Sequence, residues 1–141
     1  MVELSYVMVK PEFATNEQII KDIKQRLISA GLKIVEQNYV KYDVEHARQH
    51  YQEHIEKDFY PNLEKCITSD KSYGMIVSGE NAISKIRALV GSTKKPEPNT
   101  IRYDIPKKYN LELRITQNVV HASDSVESAK REIDIFKDLI K

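Results

Sequence analysis

Leu4-Ser5-Tyr6-Val7-Met8-Val9-Lys10-Pro11 is the stretch against which the rest of the chain can be ordered. A β-favouring apolar run ends at a Lys-Pro pair, where proline lacks the N–H to continue a ladder. It therefore reads as a buried strand closing into a loop. Next, Thr15-Asn16-Glu17-Gln18 sets a capping residue three positions before Gln, a capping-box pattern. Ile19, Ile20, Ile23, Leu27 and Ala30 follow at helical spacing, and Gly31 supplies the stop. Leu32 to Tyr42 predicts a second strand through Ile34, Val35, Tyr39 and Val40.

Asp43 to His54 predicts a helix with Val44, Ala47, Tyr51 and Ile55 on one face. Phe59-Tyr60-Pro61 interrupts it, and Asn62 to Ile67 reads as a short helix. Tyr73-Gly74-Met75-Ile76-Val77 is a third strand closing at Gly79, and helical spacing returns from Asn81 to Val90. From Gly91 to about Gln117 the expectation is mostly loop, because Pro96, Pro98 and Pro106 oppose long regular elements. Asn118 to His121 holds a short strand. A last helix starts near Asp124, with Glu127 completing a second cap, and buries Val126, Ala129, Ile133, Phe136 and Ile140. The order contains β-α-β-β-α-β, the ferredoxin-like split unit of an α+β sandwich. We expect one domain over 1–141: a four-stranded antiparallel sheet covered by helices, for which one helical face suffices at this length.

Composition narrows the function. The chain has 141 residues, the size of one ordinary domain. Lys plus Arg is 22 and Asp plus Glu is 21, a net charge of +1 that counts against affinity built on neutralising a polyanion. No apolar run approaches the roughly 20 residues of a membrane span. Met1-Val2-Glu3-Leu4 begins no secretory signal. The single Cys66 cannot form an internal disulfide or a Cys-based metal site, so the cytoplasm is the expected location.

Chemistry concentrates in Asn118-Val119-Val120-His121-Ala122-Ser123-Asp124-Ser125. His121 follows an apolar strand, small residues leave room for a ligand, and a helix N-terminus that favours an anion lies just downstream. Glu132, on that helix, could hold one imidazole nitrogen and so define the other as a nucleophile.

Asn-x-x-His-(Gly or Ala)-Ser-Asp, present as Asn118 to Asp124, resembles the signature of the nucleoside diphosphate kinase family. Further stretches match in order: Tyr6 to Glu12, Gln49-His50-Tyr51, Phe59 to Leu63, Ala82 to Arg87, Gly91-Ser92-Thr93 and Thr100 to Asp104. The resemblance implies ping-pong transfer of a γ-phosphate, usually from ATP, to a nucleoside diphosphate through a phosphohistidine on His121. It implies that Lys10 contacts phosphate and the ribose hydroxyl, that Arg87 and Thr93 hold the β-phosphate, and that Arg102 steadies the transferring group. Asn118 would bond the sugar, and Phe59 and Leu63 would sandwich the base. Tyr51 and Ser123 would flank His121, with Glu132 orienting it. Mg²⁺ would arrive on the nucleotide phosphates, and the protein would be a homo-oligomer, a hexamer or tetramer.

Each residue also has an ordinary reading. Lys10 could be a solvated strand end, Arg87 and Glu132 surface charges, Thr93 a turn hydroxyl, and Phe59 and Tyr51 core. Their joint order outweighs those readings. The chain also departs from the family pattern. Glu12-Phe13 stands for Asp-Gly, Asn99 and Tyr103 stand for glycines around Thr-Ile-Arg, and Thr116-Gln117 stands for Gly-Arg. Asn99 tolerates a left-handed backbone, whereas Tyr103 pays more for one. The segment between Arg102 and Asn118 is also longer than usual. These differences gather at the nucleobase end and the subunit surface.

Three rivals stand beside this reading. His46, His50 and His54, at i, i+4 and i+8, could ligate a transition metal, although a polar helix flank is simpler. An RNA-binding ferredoxin-like module would want aromatics spaced on a strand in a Gly-rich consensus, which is missing. A family member with weak or no catalysis would serve as a nucleotide-binding or interaction protein.

Overall fold

The computed structural model describes residues 2–92, 95, 97–109 and 119–140. Strand β1 (Val2–Val9) lies inside a four-stranded sheet of order β2–β3–β1–β4, with β2 at Lys33–Val40, β3 at Ser72–Glu80 and β4 at Val120–Ala122. Each neighbouring pair is antiparallel. The ferredoxin-like α+β arrangement expected from the element order is the one formed.

The position of β1 accounts for its sequence. Strand alternation sends Tyr6 and Met8 to one side of the sheet and Val7 and Val9 to the other. The two sets belong to two separate hydrophobic clusters. The first cluster is closed by Ile19, Ile23 and Leu27 of α2 (Glu17–Ser29) and by Ile86 and Val90 of α5 (Ala82–Val90). The second takes Ala47 of α3 (Val44–His50), Leu63 and Ile67 of α4 (Tyr60–Ser69), and Ile133 and Phe136 of α7 (Val126–Leu139). Helices thus cover both faces rather than the one that chain length required. An unbroken apolar run in β1 is what a strand covered on both sides needs.

Several local expectations are corrected. α2 is capped by Asn16, not Thr15: Asn16 Oδ1 accepts from the N–H groups of Gln18 and Ile19. α7 is capped by Ser125, paired reciprocally with Ser128, rather than by Asp124 and Glu127. Val126, the first residue after that cap, is exposed, and Ile140 is only half-buried. α3 stops at His50, leaving Val44 and Ile55 exposed, and Val35 and Tyr39 of the edge strand β2 are exposed too. A short helix α1 (Pro11–Ala14), with proline in its first turn, follows β1 directly.

The largest correction concerns the expected loop, where α6 forms over Ile101–Lys108 with Pro106 inside it. Burial overrides propensity here, since Ile101 and Ile105 are fully buried in the first cluster. Asn99 does adopt a positive φ of 71°, while Tyr103 sits within α6 and bears no left-handed strain.

Gly74 in β3 lies where the second face leaves no room for a side chain. A Cβ there would lie 2.7 Å from Phe136 Cε1 and 2.7 Å from Tyr6 Oη. Gly74→Ala is therefore expected to destabilise the fold by about 1–3 kcal/mol through overpacking. Urea denaturation followed by circular dichroism measures it, and an unchanged midpoint would contradict this packing.

Candidate active site

His121 owes its position to β4, where it stands opposite Met8 of β1. Cross-strand partners share a face, so His121 joins Met8 and Tyr6 while its neighbours Val120 and Ala122 enter the opposite cluster. That face is covered by α7, which supplies Glu132. Glu132 Oε1 lies 2.8 Å from His121 Nε2 and accepts a bond from Ser123 Oγ at 2.7 Å. Ser123 Oγ in turn accepts the N–H of Tyr6 at 3.0 Å, anchoring the group to the central strand.

The entry to β4 is strained. Val119, a β-branched residue, has φ of 70°, and its carbonyl accepts the Lys10 N–H at 2.9 Å. The same bond ties the end of β1 to the start of β4 and so sets Lys10 near His121. Lys10 is buried, and its amine is pushed down to about 8 by that burial and by the charge of Arg102.

Arg102, in the first turn of α6, donates from Nη1 to the Gly91 carbonyl at 2.7 Å and from Nη2 to the Val120 carbonyl at 3.0 Å. Burial and the nearby Arg87 lower it to about 10. Arg87, exposed on α5, and Arg102 line a cleft of about 510 Å³ with Ser92, Lys95, Glu97 and Thr100.

The imidazole of His121 is pushed down to about 3, first by burial and then by Lys10, Arg102 and Arg87. The ring is thus neutral near pH 7, and a carboxylate at Nε2 places the single ring proton there. Nδ1 then carries a free lone pair. The side chain remains 19% exposed, so the ring can be reached from outside. Glu132 is itself buried, which raises its carboxyl, while the bond from Ser123 acts in the opposite direction.

Tyr51 packs its ring at 83° to His121 with centroids 5.9 Å apart, and its buried hydroxyl has no hydrogen-bond partner among the described residues. Phe59 precedes α4 and is 41% exposed, beside the His54 ring and under Lys57 Nζ. Leu63 is only 6% exposed and belongs mainly to the second cluster. Thr93 and Asn118 lie outside the described residues, as does the whole segment between Tyr109 and Val119. His121, Ser123, Glu132, Tyr51, Lys10 and Arg102 are brought together, with Arg87 at the rim.

In the sequence His50 has only a place among three spaced histidines and in a matched stretch, not beside His121. Its ring lies 4.5 Å from those of both His121 and Tyr51, fully buried, and neither nitrogen has a partner among the described residues. Its place beside Tyr51 in Gln49-His50-Tyr51 was the available signal. The i, i+4, i+8 histidines do not form one metal set. His46 bonds Asp43 and Asp138 at 2.7 Å each, and His54 accepts from Lys57. His50, His121 and Glu132 do each bring a ligand atom within 4.8 Å of one another. However, Lys10, Arg102, Arg87 and Arg131 act on this cluster electrostatically, and that positive field opposes a bound dication.

Among the described residues no helix is long and apolar enough to cross a membrane. A sequence profile of the nucleoside diphosphate kinase family matches residues 3–139. The nucleoside diphosphate kinase of Methanocaldococcus jannaschii is 41% identical over 138 residues, covering 96% of this chain and 94% of the relative. That of Staphylococcus carnosus is 39% identical, covering 96% and 87%. Among solved structures, the Halobacterium salinarum nucleoside diphosphate kinase in complex with CDP superposes with a TM-score of 0.84. It is 34% identical, with 96% of this chain and 88% of that one covered. The Aquifex aeolicus nucleoside diphosphate kinase gives 0.82 at 30% identity, covering 96% and 95%. With profile, relatives and fold in agreement over nearly its whole length, the chain belongs to the nucleoside diphosphate kinase family.

Proposed function

We propose that the nucleoside diphosphate kinase activity of this chain runs through Nδ1 of His121 in a ping-pong cycle. One observation carries the reading: Glu132 holds Nε2, so the free lone pair of a neutral ring is at Nδ1. Nδ1 attacks the γ-phosphorus of a nucleoside triphosphate such as ATP. An N–P bond forms as the P–O bond breaks, and the electron pair leaves on the diphosphate. The ring gains positive charge, and its Nε2–H stays against the Glu132 carboxylate, which offsets that charge. A second nucleoside diphosphate reverses the steps. Such a transition state is loose and needs positioning and positive charge more than proton transfer.

Lys10, Arg87 and Arg102 supply that charge. In this reading Lys10 contacts phosphate and the ribose hydroxyl, Arg87 and Thr93 take the β-phosphate, and Arg102 steadies the moving group with its planar guanidinium. Tyr51 and Ser123 keep the imidazole in place. Asn118 bonds the sugar, the exposed ring of Phe59 stacks on the base, and Leu63 offers an apolar edge. Among the described residues, the charged side chains lining the cleft between α5 and α6 are the cations Arg87, Lys95 and Arg102 and the single carboxylate Glu97, which is no set of oxygen ligands suited to Mg²⁺. Mg²⁺ would therefore arrive with the nucleotide phosphates and would supply charge neutralisation there. The pairing of His121 with Glu132 beside these cations favours catalysis over a role limited to nucleotide binding. The unit proposed is a single domain over 1–141, cytoplasmic and homo-oligomeric. The exposed Val35 and Tyr39 on the edge strand β2 support self-association.

Incubation with γ-labelled ATP should yield an acid-labile, alkali-stable phosphoenzyme. Full labelling of His121→Ala would remove His121 from the mechanism. In an NMR titration from pH 8 downwards, His46 should protonate above the ordinary imidazole value, because Asp138 and Asp43 bond it. His121 should stay neutral until about pH 3. Because the unfolded chain takes up that proton near 6.5 and the folded one near 3, His121 makes stability fall as pH drops through that window. A His121 resonance titrating near 6.5 would contradict the neutral-nucleophile reading. Light scattering should give a hexamer or tetramer, and a monomeric mass would reject the assembly.

A further inference from the structure

α6 is a poor helix by composition. Pro106, inside its eight residues, lacks the N–H that would bond the Arg102 carbonyl, and its ring crowds that carbonyl. Yet this helix carries Arg102. Ile101 and Ile105 bury one side of it, but apolar contact is non-directional and leaves rotation and sliding poorly specified. Direction comes from charges on α2. Arg26 donates from Nη1 to Asp104 Oδ2 at 2.7 Å and from Nε to Asp22 Oδ1 at 2.8 Å. The other Asp104 oxygen accepts the N–H of Asn99, the left-handed residue that precedes the N-cap Thr100.

At the far end of α6, Asp22 Oδ2 accepts from Lys108 Nζ at 2.6 Å, and the Tyr109 hydroxyl donates to the Gln18 carbonyl. α2 therefore grips α6 at both ends. The side chains of Arg26, Asp104 and Asp22 are 27%, 25% and 11% exposed, so this part of the network is only partly screened. Lys108, at 60%, contributes less. Arg26 lines a separate hollow with Asp22, Leu89 and Asn99, apart from the cleft that holds Arg87 and Arg102.

We infer that Arg26 and Asp104 are positioning residues for phosphoryl transfer: their ion pair sets the orientation of α6 that aims the Arg102 guanidinium at the His121 site. This rests on the reading of Arg102 as a phosphoryl-steadying group. Asp104 is in the same helical turn as Arg102, and misplacement of a charge-stabilising group costs rate steeply.

The test compares Arg26→Gln, Asp104→Asn, Arg26→Lys, Arg102→Ala and the double variant Arg26→Gln/Arg102→Ala by steady-state kinetics and thermal melting. Arg26→Gln and Asp104→Asn should each lower kcat roughly tenfold, with KM changed less than about threefold. Tm should move by only a few degrees, and Arg26→Lys should keep most of the rate. Because Arg26 acts through Arg102, the double variant should be no slower than Arg102→Ala alone. Unchanged kcat in Arg26→Gln, or losses that multiply in the double variant, would overturn the inference. A kcat loss matched by loss of folded protein would overturn it as well. If Arg102→Ala itself keeps full activity, the reading of Arg102 falls and takes the inference with it. If Arg102→Ala is impaired and Arg26→Gln is not, only the inference falls.

Discussion

The antiparallel pairing of β1 with β4 is the contact on which the site depends. It spans three residue pairs, Val7–Ala122, Met8–His121 and Val9–Val120. This short ladder sets His121 on the face covered by α7, brings the Lys10 N–H to the Val119 carbonyl and lets Ser123 bond the backbone of Tyr6. A one-residue slip would turn His121 into the opposite cluster, away from Glu132. The strained φ of Val119 persists because its side chain is buried and its carbonyl is bonded.

Electrostatics then follow from placement rather than from overall charge. A chain of net charge +1 gathers Lys10, Arg87 and Arg102 from three distant elements around one imidazole. Their field and the burial of the ring keep the imidazole unprotonated, and the same field favours an anionic group. The site is thus selective in sign, with a repelled proton and a favoured anion sharing one cause.

The chain order of the strands was readable because β1 is a continuous apolar run and the helices around it carry clear periodicity. His121 and Glu132 were readable as a pair because the last helix follows the histidine strand directly. α6 was not readable: Pro106 argues against a helix locally, and only the burial of Ile101 and Ile105 overrules it. His50 was hidden by its even spacing with His46 and His54, three residues that the fold sends into three different environments. The cap residues were each displaced by one position, since neighbouring side chains offer similar oxygen acceptors and only backbone geometry selects between them.

By itself, the sequence determined the order of the strands and of the longer helices, and the family signature, because propensity, periodicity and motif spacing act over a few residues. Tertiary structure decided which ring nitrogen carries the proton, how far the His121 and Lys10 pKa values fall, and where Arg102 is held. Those properties depend on burial and on charges brought from remote positions, as in the bond between Tyr6 and Ser123 across 117 residues of chain. No local pattern encodes such a distance, so only the folded sheet decides it.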